Sequence, residues 1–149
     1  MIHIAVQTAD FSVQDEYDRI CAHNSADGGV VFFVGRVRDL NEGEAVYAMT
    51  LEHYPGMTEQ SLMAIVSEAQ TRWPLSRVRV IHRVGQLTPG EQIVFVATAS
   101  PHRDAAFAGA QFIMDWLKTR APIWKKENTE RGEHWLEAKL SDADKADQW

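Results

Sequence analysis

Apolar residues alternate with polar ones at the start of the chain, at Ile2, Ile4 and Val6, and this spacing predicts a short strand. Ser12 stands three residues before Asp15, a capping-box-like start for a helix running to about Ala22. Gly28-Gly29 then interrupt the chain ahead of the wholly apolar run Val30 to Val34. That run predicts a buried strand, continuing through Arg36-Val37-Arg38 to a turn at Asn41-Glu42-Gly43. Val46 to Tyr54 reads as its returning partner. Leu62, Ile65, Val66 and Ala69 recur at helical spacing between Thr58 and Pro74, where proline ends the helix. Val78 to Ile81 and Ile93 to Ala97 read as two strands joined across Thr88-Pro89-Gly90. Ser100-Pro101 is expected to cap a long helix that reaches about Arg120, with Phe107, Phe112, Ile113, Trp116 and Leu117 forming its core face. A last hairpin is expected from Ile123 to Asn128 and Glu133 to Lys139, followed by a polar tail that ends in Trp149.

Strands outnumber helices and hairpins join most of them, so the expected class is α+β with a largely antiparallel sheet. No repeat, linker or low-complexity block divides residues 1–149, which are expected to form a single domain. With 45% hydrophobic and 24% charged residues, the composition is globular. The net charge of -6 argues against a nucleic-acid partner, whose phosphates require a broad basic surface. The single cysteine, Cys21, excludes an internal disulfide and fits a reducing compartment. No apolar run reaches the roughly 20 residues of a membrane span, and no signal-peptide pattern opens the chain. A cytoplasmic protein with no membrane partner is expected.

Charge distribution changes this picture. Between Lys118 and Arg131 five cations stand against two carboxylates, a local +3 that leaves -9 on the rest of the chain. Lys118 falls in the last turn of the expected long helix, where the dipole alone favours a cation. Lys125 and Glu127 share one face of the following strand, and Trp124 and Lys126 the other. Arg36 and Arg38 form a second cluster, suited to bidentate recognition of phosphate or carboxylate, although the exposed end of a strand explains them equally well. His102 and Arg103 form a third at a helix N-terminus, where Arg103 opposes the dipole and so has no local reason to be there. Metal, nucleotide-loop and serine-hydrolase patterns are absent: no close histidine pair, Walker loop or GxSxG elbow occurs. His82, within a strand, reads as a satisfied or exposed histidine rather than a catalytic one.

Several longer segments carry a resemblance. Leu51-Glu52-His53-Tyr54-Pro55-Gly56-Met57-Thr58, Arg72-Trp73-Pro74-Leu75, Val80-Ile81-His82-Arg83-Val84-Gly85 and the run from Phe112 to Glu127 are similar to signature segments of the catalytic (large) subunit family of molybdopterin synthase. The likeness extends from Phe11 to Trp149. It implies an α/β hammerhead-type fold with a small additional β subdomain, a homodimer core, and a heterotetramer completed by two small ubiquitin-like sulfur-carrier subunits. Each carrier would end in a Gly-Gly thiocarboxylate and deliver sulfur to cyclic pyranopterin monophosphate, making the dithiolene of molybdopterin. The resemblance implies no metal and no cofactor in the large subunit itself. By position it places substrate contacts at Arg36, Val37, Arg38, His102, Arg103, Lys118, Lys125, Lys126 and Glu127, with Lys118 and Lys125 catalytic. Arg36 stands where the family also uses lysine. Arg38, His102 and Arg103 would face phosphate and pterin, and Lys118 the thiocarboxylate. Lys125 would assist opening of the cyclic phosphate or stabilise charge there, with Glu127 orienting it or handling a proton itself. A lysine buried among other cations gives up its proton more readily, which suits such a role. Two rival readings are a non-catalytic module that holds a ubiquitin-like tail, and a stand-alone sensor of a phosphorylated ligand.

Overall fold

The computed structural model describes residues 1–136 and 140–149. A four-stranded sheet is ordered β1 (Ile2–Gln7), β5 (Arg77–Arg83), β7 (Gln92–Ser100) and β2 (Gly29–Arg36). Only the β1–β5 pair in it is parallel. A second sheet is ordered β3 (Leu40–Asn41), β4 (Glu44–His53), β8 (Ile123–Thr129) and β9 (Gly132–Leu136), and β6 (Gly85–Leu87) also pairs with β4. The mixed, mainly antiparallel class and the additional β unit therefore agree with expectation. The last residues of the expected final strand, Glu137 to Lys139, lie outside the described residues.

Burial explains the apolar runs. β5 and β7 are the central strands, covered on both faces, so Val78, Val80, Ile81, Phe95, Val96 and Ala97 are all shut off from water. Against one face pack α2 (Met57–Arg72), through Leu62, Ile65 and Val66, and α3 (Arg103–Arg120), through Phe112, Ile113 and Leu117. The short α1 (Val13–Cys21) covers the other face, placing Ile20 beside Ile81 and Phe95, with Phe11 just ahead of it. Its start is the expected cap, since Ser12 Oγ accepts the Asp15 amide at 3.2 Å. Val37, Leu51, Val84 and Leu87 form a third cluster at the seam between the sheets.

Four expectations are corrected. β4 does not return onto β2: it pairs with β3, β6 and β8, while β2 pairs with β7. Local hydrophobicity could not distinguish these partners, because every strand nearby is apolar on at least one face. The run Val30 to Val34 is only half-buried, with Phe32 and Phe33 exposed by 44% and 46%, because β2 is a sheet edge. Ser100 does not cap α3. It ends β7, fully buried, and His102 takes the cap position without a side-chain hydrogen bond. Phe107 is exposed rather than part of the core face.

Gly29 fits the same junction, since a Cβ there would lie 3.1 Å from the Arg103 Cα and would press β2 away from the start of α3 by a few tenths of an ångström. The polar tail folds as α4 (Leu140–Asp147). Trp149 pins it by packing edge-on against Trp73 and Phe112, and its Nε1 donates to Asp115 Oδ2 at 2.7 Å. Among the described residues no helix is long and apolar enough to cross a membrane.

Candidate functional site

A cavity of about 530 Å³ opens at the seam where the two sheets meet the end of α3. Three separate segments deliver its charges. The end of β2 contributes Arg36 and, two residues on, Arg38. The last turn of α3 contributes Lys118, and strand alternation along β8 turns Lys125 and Glu127 toward the cavity. With Asp142 of α4, the wall carries four cations and two carboxylates. A space of this size matches a small-molecule site, and its net positive wall favours an anion.

The cations differ in how they are held. Arg36 donates through Nε and Nη2 to the Gly90 carbonyl at 3.2 and 3.1 Å, which fixes its guanidinium against the turn before β7. Arg38 and Lys118 are exposed and have no hydrogen-bond or ion-pair partner among the described residues, so both are available to a ligand. Lys118 thus lies open to solvent in the isolated chain rather than buried as expected. Glu127 is only 3% exposed. Its Oε1 accepts from Asn41 Nδ2 at 3.0 Å and lies 3.7 Å from His134 Nε2.

Four residues expected at the substrate do not line the cavity. Val37 is buried, its amide donating to the Glu91 carbonyl at 2.9 Å and its carbonyl accepting the Gly90 amide at 2.8 Å. It grips the turn that holds Arg36. Lys126 faces the opposite side of β8, 3.5 Å from Glu133 Oε2 and 5.2 Å from the centre of the Trp135 ring. His102 and Arg103 are further away still. They lie at the start of α3, fifteen residues from Lys118, which at about 1.5 Å per residue is roughly 22 Å along one helix. Both are exposed. Two of the three cationic clusters therefore meet within one chain, and the third does not.

Beneath the lysines lies His82, 3% exposed, with Nδ1 2.7 Å from the Arg83 carbonyl. Burial pushes its pKa down to about 4; the hydrogen bond to Arg83 opposes this, and the charges of Lys125, Lys118 and His53 reinforce it. His82 is therefore a neutral, satisfied histidine within the electrostatic reach of both lysines. A second cavity, about 550 Å³, lies beside α1. There Glu16 receives Arg79 Nη2 at 2.6 Å and Nε at 2.8 Å, so its central charges neutralise one another. That pair anchors α1 to β5, which is a sufficient reason for it.

Asn41 and Asp142 had no signal in the sequence that marked them for the site. Asn41 reads as a turn residue and Asp142 as one acid in a polar tail. Only the hairpin between β3 and β4, and the anchoring of α4 by Trp149, carry them to the cavity wall.

Residues 6–120 match the family model described as MoaE protein. The chain is 56% identical over 146 residues to the molybdopterin synthase catalytic subunit of Salmonella typhimurium, covering 98% of this chain and 97% of the relative. Identity to the Escherichia coli protein of the same name is likewise 56%, with the same coverage. Among solved structures, the molybdopterin biosynthesis MoaE protein from Burkholderia ambifaria superposes with a TM-score of 0.84 at 50% identity, covering 99% of this chain and 98% of that one. Molybdopterin synthase from Staphylococcus aureus superposes with a TM-score of 0.82 at 30% identity, over 89% and 95% of the two chains.

Proposed function

The chain belongs to the MoaE family of molybdopterin synthase catalytic subunits, and from this we propose that its cationic cavity is where sulfur is transferred in molybdenum cofactor biosynthesis. One observation carries the assignment of residues: Arg36, Arg38, Lys118 and Lys125, from three distant segments, converge on one cavity. The substrate is cyclic pyranopterin monophosphate. The donor is the C-terminal Gly-Gly thiocarboxylate of a small ubiquitin-like carrier subunit. Both are anions, and a cationic wall neutralises both. Residues 1–149 act as one catalytic domain.

Arg38, with its unpartnered guanidinium, takes the phosphate, and Arg36 extends the positive surface from its fixed position on Gly90. Lys118 stands where a threaded tail ends. There its ammonium polarises the thiocarboxylate carbonyl as charge develops on oxygen, and exchanges a proton with the reacting groups. The carrier tail also supplies the burial that Lys118 lacks in the isolated chain. Lys125 stabilises charge as the cyclic phosphate opens, with Glu127 on the same strand face. Lys126, on the outer face of β8, contributes to the carrier-facing surface. Cys21 does not line the cavity, so the sulfur comes from the carrier and not from a thiol of this chain. The lone cysteine and the absence of a membrane-length helix among the described residues support a cytoplasmic enzyme.

His102 and Arg103 reach a cavity through a second copy of the chain. β2 is an unpaired edge with Phe32 and Phe33 exposed, and Phe107 stands one turn beyond Arg103 on the neighbouring helix. An apolar edge of this kind is a template for self-association. In a homodimer built there, each start of α3 is brought against the other protomer, and its cations complete the partner's site. Two carriers bound to such a dimer make the heterotetramer.

Reconstitution tests this assignment. This protein, a thiocarboxylated carrier and the cyclic precursor are mixed, and product is followed by mass spectrometry. Wild-type protein yields molybdopterin, whereas Lys118→Ala binds the carrier normally and loses turnover by at least about a hundredfold, the scale of a removed electrostatic or proton-transfer group. Near-normal turnover by Lys118→Ala would refute the central role given to Lys118. Carrier binding without product from wild type would favour the binding-module reading.

A further inference from the structure

Asn41 occupies an unusual position for a turn residue. It ends β3 and pairs with Glu44 across a two-residue loop formed by Glu42 and Gly43, with φ of 53° and 79°. Two successive positive φ values define the type I′ turn whose twist matches the flanking strands, and Gly43 adopts its angle without cost. Glu42 does so against the preference of a side chain, so the tight turn is kept at some local expense. Its effect is to hold Asn41 over the cavity wall, opposite Glu127.

The orientation of the Asn41 amide is set by chemistry. A carboxylate only accepts, so the group 3.0 Å from Glu127 Oε1 is the Nδ2 donor, and the amide oxygen faces away from it. That oxygen, Oδ1, is buried and has no hydrogen-bond partner among the described residues. A buried acceptor without a donor is costly, and native proteins rarely leave one unless something else supplies the donor. Asn41 lines the cavity, and the occupant assigned to it carries suitable groups. A pterin presents a ring amide N–H and an exocyclic amine. Its phosphate, by contrast, offers acceptors and seeks the cations. Besides the Asn41–Glu127 bond, β3 is joined to its sheet by two residue pairs with β4, Leu40 with Ala45 and Asn41 with Glu44, and presenting the buried Oδ1 to a ligand requires a shift of this short arm.

We propose that Asn41 is a specificity residue for the pterin: its Nδ2 holds Glu127 in place while its Oδ1 accepts a hydrogen bond from a pterin N–H. The two ends of one amide thereby couple recognition of the ring to the placement of the carboxylate beside Lys125. The inference rests on the sulfur-transfer reading of the cavity and assigns its pterin end to the β3–β4 hairpin, with the phosphate end left to the arginines.

Two variants test the two ends in the reconstituted reaction, with folding checked by thermal unfolding. Asn41→Leu removes donor and acceptor. Its KM for the cyclic precursor is expected to rise about tenfold or more, because a site built around a hydrogen bond discriminates strongly when it is lost, while carrier affinity is unchanged. Asn41→Asp keeps the shape and the acceptor but sets a second carboxyl against Glu127. The two can hydrogen-bond only when they share a proton, so this variant is expected to be poor near about pH 8 and to recover toward wild type near about pH 6. His134, Arg36, Arg38, Lys118, Lys125 and Asp142 also face this region and are present in wild type and variant alike, so the ratio of the two rates at each pH isolates residue 41. A KM within twofold of wild type for Asn41→Leu, a loss confined to carrier binding or to kcat, or an Asn41→Asp defect independent of pH would each overturn the proposal. If wild type itself gave no product under any condition, the sulfur-transfer reading would fail, and this inference with it.

Discussion

Acid stability provides a direct test of how deeply His82 is buried. His82 binds a proton only near pH 4 in the folded protein, against 6.5 in an unfolded chain. Between those values the unfolded state holds more protons, so stability rises with pH across the window and is lost as the solution is acidified through it. The interval of about 2.5 units, at 1.36 kcal/mol each, corresponds to about 3 kcal/mol from this residue. That is a large part of the 5–15 kcal/mol typical of a domain. The assay is urea unfolding of wild type and His82→Gln at several values between about pH 7.5 and about pH 4.5. His82→Gln starts lower at neutral pH, because the ring leaves a gap and the Arg83 carbonyl loses its donor. Its stability should then fall less on acidification, and over this range the two curves should converge by about 2 kcal/mol. Parallel curves would refute the reasoning, because they would mean that His82 takes up its proton equally in both states.

Two further outcomes follow from the contacts between distant segments. Replacing Trp149 with Ala removes its edge-on contacts with Trp73 and Phe112 and the donor to Asp115, and should lower stability by about 2 kcal/mol in denaturant unfolding. An unchanged midpoint would mean that the tail is not docked in solution. If His102 and Arg103 serve the partner's cavity, inactive Arg103→Ala and inactive Lys118→Ala proteins should recover about a quarter of wild-type turnover after subunit exchange, since half the dimers are mixed and each has one intact site. No recovery would place both residues in the service of one chain's own site.

The proposed sharing of a site across a dimer has a structural logic. An 18-residue helix is too long for both of its ends to touch one small molecule, so cations at Arg103 and Lys118 can act together only across a symmetry axis. On that proposal the exposed edge of β2 beside the start of α3 would be a functional surface, because self-association there would complete the chemistry. The same geometry explains why β2 is apolar along its length although only one of its sides is covered within the chain.

Periodicity and turn chemistry were enough to identify most elements. Ser12 as a cap, Pro74 as a stop and the apolar runs of β5 and β7 act through their immediate neighbours, and such local rules survive in any tertiary setting. The resemblance names candidate residues for the site, and the charge pattern marks the same clusters. Neither could say which of them share a cavity. Pairing β4 with β8 rather than β2, turning Lys126 away while Lys125 faces inward, and separating Arg103 from Lys118 all depend on long-range register. Asn41 and Asp142 enter the site only because a hairpin and a docked tail place them there. Most of the elements, the class and the cationic chemistry were legible in the chain, because these follow from the local properties of each segment. The tertiary structure decided which charges meet, because strands of similar hydrophobicity are sorted only by the packing of the whole chain.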